Sequence, residues 1–179
     1  MVETVKNILS FFGISGLVWF LGLHPRLLIL IMGMLILLSA FLGKEGNRRL
    51  LVLYLAGILY VTILSRPWGK RSAILTPFWS YRYFLKDEYF TREIRNNIFL
   101  FIPFGMIISR VRPKWSSILN VLQVSAGIEI LQFITGSGVC ELDDIFSNML
   151  GGTIGLTLGL LLSYGSDWLF TQIRGLIQN

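Results

Sequence analysis

Apolar residues fall into six runs along the chain, at 5–23, 27–43, 50–65, 94–109, 116–135 and 144–163, and most of the formal charge collects in the gaps between them. Each run predicts a helix that crosses a membrane, which takes ~20 residues at 1.5 Å of rise per residue. Several runs fall short of that length, so the helices are expected to borrow flanking Trp, Tyr and charged residues, and their number is six to within about one. The gap at His24, Pro25 and Arg26 is short and polar, and its proline predicts a tight hairpin between the first two helices. The longest gap, 66–93, holds Pro67, Trp68 and Gly69, then Leu75-Thr76-Pro77-Phe78-Trp79-Ser80-Tyr81. Aromatics set among prolines suit a partly ordered segment at the headgroup level. Beyond residue 163, Trp168, Leu169, Ile173, Leu176 and Ile177 recur at helical spacing among polar residues, which predicts a short interfacial helix over 164–179.

Composition fixes the environment. Of 179 residues 54% are hydrophobic, and the mean hydropathy is +0.67, more apolar matter than one soluble core can hide. The fold class is therefore all-α, a polytopic membrane helix bundle in a single membrane domain. A formal charge of +6 would point to nucleic acid in a soluble chain, but here the Lys and Arg residues occupy gaps between apolar runs, so nucleic acid is set aside as a partner. The single cysteine, Cys140, has no internal disulfide partner and no CxxC companion. The first run follows one Lys and lacks a small-residue cleavage site near its end, so it reads as a retained helix rather than a removed signal.

Lys44, Arg48 and Arg49 fill one short gap, and Arg110, Arg112 and Lys114 another, while the gap with Glu141, Asp143 and Asp144 has no basic residue. With six helices the two basic gaps share a face and the acidic gap lies opposite, so the termini are expected to be cytoplasmic and the acidic gap external. The long gap also faces outward although it is rich in Arg and Lys; long segments weigh less in that rule.

Polar residues inside the apolar runs are the candidate chemistry, because a carboxylate in hydrocarbon costs at least ~2.5 kcal/mol on insertion scales. Glu129 lies seven residues before Gly136, where the fifth helix should end, which places it ~10 Å inside. Ser125, Glu129 and Gln132 share one helix face, directed into the bundle. On the sixth helix Asp144, Asn148, Gly151, Gly155 and Gly159 form a stripe; Asn148 is expected near the level of Glu129, and the glycines form two overlapping GxxxG steps for close helix approach. Asn97 sits near the external end of the fourth helix, which Pro103 and Gly105 loosen, and Arg66 ends the third. Topology thus brings Arg66, Asn97, Glu129, Gln132, Asp143, Asp144 and Asn148 to one side of the membrane. They are read either as a site or as an Arg66–Glu129 ion pair with amide hydrogen bonds that fasten helices together.

These residues lie in motifs that resemble the VanZ-like family of bacterial membrane proteins. The motifs are Thr62-Ile63-Leu64-Ser65-Arg66, Leu75-Thr76-Pro77-Phe78 with Ser80-Tyr81, Asn97 through Gly105, Glu129-Ile130-Leu131-Gln132, and Glu141-Leu142-Asp143-Asp144 leading to Asn148 and Gly151. The resemblance implies a four-helix core over 50–162, with 1–45 as an added N-terminal helical hairpin. It implies a multi-pass protein of the bacterial cell membrane with a role in resistance to glycopeptide antibiotics of the teicoplanin type. Many members carry an Arg shortly after the Glu-x-x-Gln helix, where this chain has Gly136-Ser137-Gly138, which would leave its site more acidic.

Three functions compete at this point. In the first, an external polar pocket binds a membrane-lipid headgroup or a lipoglycopeptide, with Arg66 on an anionic group and Asn97, Glu129, Gln132, Asp144 and Asn148 around it. In the second, a membrane-embedded enzyme acts on a lipid-linked cell-wall intermediate, with Glu129 as general base and Asp143 or Asp144 holding a metal or a leaving group. The chain has no HExxH, no nucleophile elbow and a single histidine, His24. The third is lipid transport, for which the cytoplasmic halves of the last three helices offer little polarity. No cofactor is expected; a divalent cation, if one binds, has Glu129, Asp143 and Asp144 as candidate donors, with Asn148 beside them.

Overall fold

The computed structural model describes residues 25–177, so the first predicted helix and His24 lie outside the described residues. Helix α1 (Pro25–Phe41) starts on a proline, which suits a first helical turn where no partner for its N–H is needed. Helix α2 (Lys44–Leu59) follows after a two-residue break and winds on into a single π turn, Tyr60–Leu64. The α1–α2 corner is tied by buried Asn47, which accepts from the Ser39 hydroxyl at 2.6 Å and donates to Leu42 O at 2.8 Å. Strand β1 (Ser72–Ile74) and a 3-10 turn (Ser80–Tyr83) lead to helix α3 (Glu88–Val111), whose first turn is capped by the Asp87 carboxylate accepting from Tyr89 N and Phe90 N.

Helix α4 (Ile118–Thr135) ends on Gly136 with φ +67°, a left-handed stop that glycine takes without strain. Strand β2 (Val139–Glu141) then runs directly into helix α5 (Leu142–Ile177). The two strands pair in parallel, Ser72 opposite Val139 and Ile74 opposite Glu141. The backbone of α5 is helical without a break to Ile177, so residues 164–177 continue the last helix where the sequence predicts a separate element.

Four helices, Lys44–Leu64, Glu88–Val111, Trp115–Thr135 and Leu142–Gly165, are long and apolar enough to cross a membrane. With α1 they make an all-α bundle of five described helices. Leu53, Val52 and Leu161 stand on its outside, more than 60% exposed, an arrangement that suits hydrocarbon and not water. Inside, Ile58 of α2, Phe101, Phe104 and Ile108 of α3, and Val121 and Ile128 of α4 form one apolar cluster.

The tightest contact lies between α3 and α5. A Cβ on Gly151 would collide with Ile98 O, one on Gly155 with Ile102 O and one on Gly159 with the Ser109 hydroxyl, while one on Gly105 of α3 would meet Gly152 O. Both sets of numbers rise together, so the two helices run parallel, backbone on backbone, and α4, between them in the sequence, carries the chain back across. The glycine stripe read from the sequence thus has a specific partner, and Gly105, expected to loosen α3, serves close packing. Helix α3 itself continues through Pro103.

Candidate functional site

The end of the bundle that carries β1 and β2 is roofed by the segment between α2 and α3, and one carboxylate pins that roof. Asp143, fully buried in the first turn of α5, accepts from Phe78 N at 2.6 Å, Ser80 N at 2.8 Å and the Ser80 hydroxyl at 2.7 Å. Phe78 sits at φ +57°, unusual for a residue with a bulky side chain, and its N–H bond to Asp143 helps hold it there. Phe78 also stacks on Phe146 at 5.0 Å, and Tyr81 hydrogen-bonds Ser147 at 2.7 Å. Gly69 N donates to Gly136 O at 2.7 Å, and Trp79 Nε1 donates to Glu141 at 3.1 Å. The long gap is therefore ordered by backbone and side-chain donors aimed at α4, β2 and α5.

Beneath the roof, the predicted polar face of α4 is buried: Ser125 is 0%, Glu129 2% and Gln132 3% exposed. Glu129 Oε2 accepts from Glu141 N at 2.9 Å, so β2 descends beside α4 and sets the start of α5 at the level of Glu129. Asn148 accordingly meets the α4 face one turn deeper, where its Nδ2 donates to Ser125 Oγ at 3.0 Å. Gln132 Nε2 donates to Thr62 O at 3.1 Å. That carbonyl is open because of the π turn: Ser65 N bonds back to Tyr60 O and Arg66 N to Ile63 O, so Thr62 O lacks its usual helical partner. Among the described residues the buried side-chain atoms without a hydrogen-bond partner are Gln132 Oε1 and Asn148 Oδ1 here, and Arg95 Nε and Asn96 Oδ1 on α3.

Charge is lopsided here. Glu129 and Asp144 act on each other electrostatically, Glu141 acts on both and Glu93 on Asp144, while Arg66 is the cation that acts on Glu129 and Asp144. Arg66 is exposed, and its guanidinium lies against Gly138: a Cβ there would stand 3.1 Å from Arg66 Nη1 and 3.2 Å from the amide carbon of Gln132. Among the described residues the ion pairs are Arg48–Glu45 and Arg92–Glu88, so Arg66 and Glu129 are neighbours without a direct ion-pair contact. In the connection outside the helices, burial and then Glu93 hold the Glu141 carboxyl above its ordinary range, and burial followed by Glu129 raises the Cys140 thiol.

The fold thus gathers Arg66, Glu129, Gln132, Asp144 and Asn148, and gives Asp143 a different position, saturated by the roof. Asn97 is half-buried one turn before Phe101 and makes no side-chain hydrogen bond among the described residues. Among those residues no three of His, Cys, Asp and Glu stand together so as to hold a metal, and Asp143 has both oxygens engaged. Glu93 was missing from the sequence reading, which began the helix at residue 94. The spacing Glu93, Asn97, Phe101, one turn apart each time, was the available signal.

Comparison with known proteins places these motifs in context. Residues 51–163 match the VanZ/LLP1 family. Protein VanZ of Enterococcus faecium is 31% identical over 131 residues, a match that covers 65% of this chain and 75% of that protein. No solved structure matches.

Proposed function

Because the chain belongs to the VanZ-like family, we propose that it is a multi-pass protein of a bacterial cell membrane whose roofed, acidic end faces outward and binds the polar head of an amphiphile. The amphiphile is a membrane lipid or a lipoglycopeptide, and the consequence is lowered susceptibility to glycopeptides of the teicoplanin type. One observation carries this reading: Arg66, Glu93, Glu129, Glu141 and Asp144, from five separate segments, converge under the roof, and among the described residues neither Asp144 nor the Arg66 guanidinium makes a side-chain hydrogen bond or ion pair. Arg66 suits an anionic group such as phosphate, being exposed and free of ion-pair contact. The enzymatic alternative loses one of its metal-holding candidates to the roof, since both Asp143 oxygens accept hydrogen bonds.

The test separates working groups from fastenings. Glu129→Gln keeps an oxygen to accept from Glu141 N and leaves no ion pair broken, so melting temperature in detergent should stay near that of the parent while any teicoplanin resistance of an expressing strain is lost. Full resistance at normal stability would refute the site as drawn. A fall of ~3 to 5 kcal/mol, reversed by adding Arg66→Gln, would assign the two residues to helix fastening instead.

A further inference from the structure

On either side of Glu129 along α4 lie two buried amide oxygens with no hydrogen-bond partner among the described residues. Asn148 and Gln132 are each 3% exposed, and Asn148 Oδ1 and Gln132 Oε1 have no partner. Their nitrogens are fixed, on Ser125 Oγ and Thr62 O, and so the oxygens stand beside the α4 face that carries Glu129, one on either side of it along the helix. Above Asn148 by one turn is Asp144, half-buried and without a hydrogen bond among the described residues. A buried acceptor left unmatched costs roughly 1 to 3 kcal/mol. Both amide oxygens lie along the α4 face that carries Glu129, whose Oε2 accepts only from Glu141 N among the described residues.

Ligand chemistry follows from that shortage. A primary ammonium has three N–H donors and no acceptor, so it can bond Glu129, Asp144 and an amide oxygen at once while supplying positive charge. A quaternary ammonium brings the charge without a donor. Among the described residues no three of His, Cys, Asp and Glu stand together as a divalent-metal site. Glu93, Glu141 and Asp144 are half-buried and Arg66 is exposed.

We propose that this site recognises a primary ammonium group, seated on Glu129 and Asp144 with one amide oxygen, that of Asn148 or of Gln132, as the third acceptor, in a ligand whose anionic group faces Arg66. The inference rests on the headgroup-binding reading above and narrows it to amine-bearing heads such as the ethanolamine phosphate of a phospholipid.

Full-length protein in detergent, titrated with short-chain phosphatidylethanolamine, phosphatidylcholine and phosphatidylglycerol, tests it without any variant. Charge-assisted hydrogen bonds distinguish the first two, so phosphatidylethanolamine should bind at least about tenfold more tightly than phosphatidylcholine. Asp144→Asn, which breaks no internal hydrogen bond, should erase that preference while the protein stays folded. Glycerophosphoethanolamine distinguishes the two sources of the amine: binding that needs acyl chains supports a lipid, and equal binding without them supports a soluble amine in the same seat. Equal affinity for phosphatidylethanolamine and phosphatidylcholine would overturn the ammonium site and leave headgroup binding standing. Absence of binding by all three phospholipids to folded protein would overturn headgroup binding, and the ammonium site with it.

Discussion

Between Gly151 and Gly159, α5 meets α3 with every space filled; two turns earlier, the same helix carries Asp144 beside acceptors that lack partners. In the lower stretch no glycine faced by α3 could gain a Cβ without moving backbone or the Ser109 hydroxyl. In the upper stretch Gln132 and Asn148 each leave an oxygen unsatisfied in a buried setting. Asp143 belongs in kind with the lower stretch although it adjoins Asp144, because its oxygens accept three hydrogen bonds from the roof. Completed contacts mark what holds the bundle together. Uncompleted ones mark where something from outside could bind, and the two adjacent aspartates fall on opposite sides of that division.

The sharpest way to break the comparison is at the seam. Gly155→Leu should all but abolish folded protein, because its side chain would have to displace Ile102 O, whereas Leu156→Ala, a fully buried truncation, should cost about 2 to 5 kcal/mol. Equal abundance and melting temperature for the two variants in detergent would contradict backbone contact between α3 and α5. Next in size, Asp143→Ala should destabilise by about 3 to 5 kcal/mol, since it removes the acceptor of the buried Ser80 N–H and hydroxyl and of the part-buried Phe78 N–H, and releases Phe78 from its left-handed conformation. Asp144→Asn should leave stability unchanged or slightly raised, because it removes like-charge repulsion and no hydrogen bond. If the two aspartate variants melt alike, the division between fastening and working groups fails.

The smallest expected effect is on pH dependence. Folding holds the Glu141 carboxyl above its ordinary range, so the folded chain binds that proton more tightly than the unfolded one. Stability from this group is then present at low pH and is lost as pH rises from the ordinary carboxylate range through the raised value. Glu141→Gln, which keeps an acceptor for Trp79, should flatten that decline in a series of melting curves. Orientation is open to direct measurement as well: Cys140 is the only thiol, and intact cells should label with a membrane-impermeant maleimide. Labelling only after permeabilisation would reverse the orientation.

Much of this architecture could be read in advance because membranes impose long apolar runs, and because a carboxylate such as Glu129 is conspicuous among them. The shared face of Ser125, Glu129 and Gln132 followed from helical periodicity alone, as did the close approach permitted by the glycines. The role of Asp143 did not, since its donors are the backbone N–H groups of Phe78 and Ser80, more than sixty residues away, and every residue but proline offers such a donor. The pairing of β1 with β2 involves three residues on each side and leaves no periodic trace. Glu93 was hidden by the polar first turns of α3, which belong to the helix only because Asp87 caps it there. The π turn gave no warning either, although it is what opens Thr62 O to Gln132.

The parallel arrangement of α3 and α5 has a consequence for how the protein is made. Helix α3 is the most polar of the four long spans, with Arg95, Asn96 and Asn97 in its upper half, and its closest partner is still unsynthesised when it leaves the ribosome. Parallel neighbours cannot be joined by a tight turn, so α4 must first cross back before α5 can deliver its glycines to Ile98 and Ile102. Until then α3 must enter the bilayer, or wait at its edge, with those polar residues uncovered. A nascent chain stopped before α5 should therefore be captured by the insertion machinery and its chaperones for longer than one stopped after it.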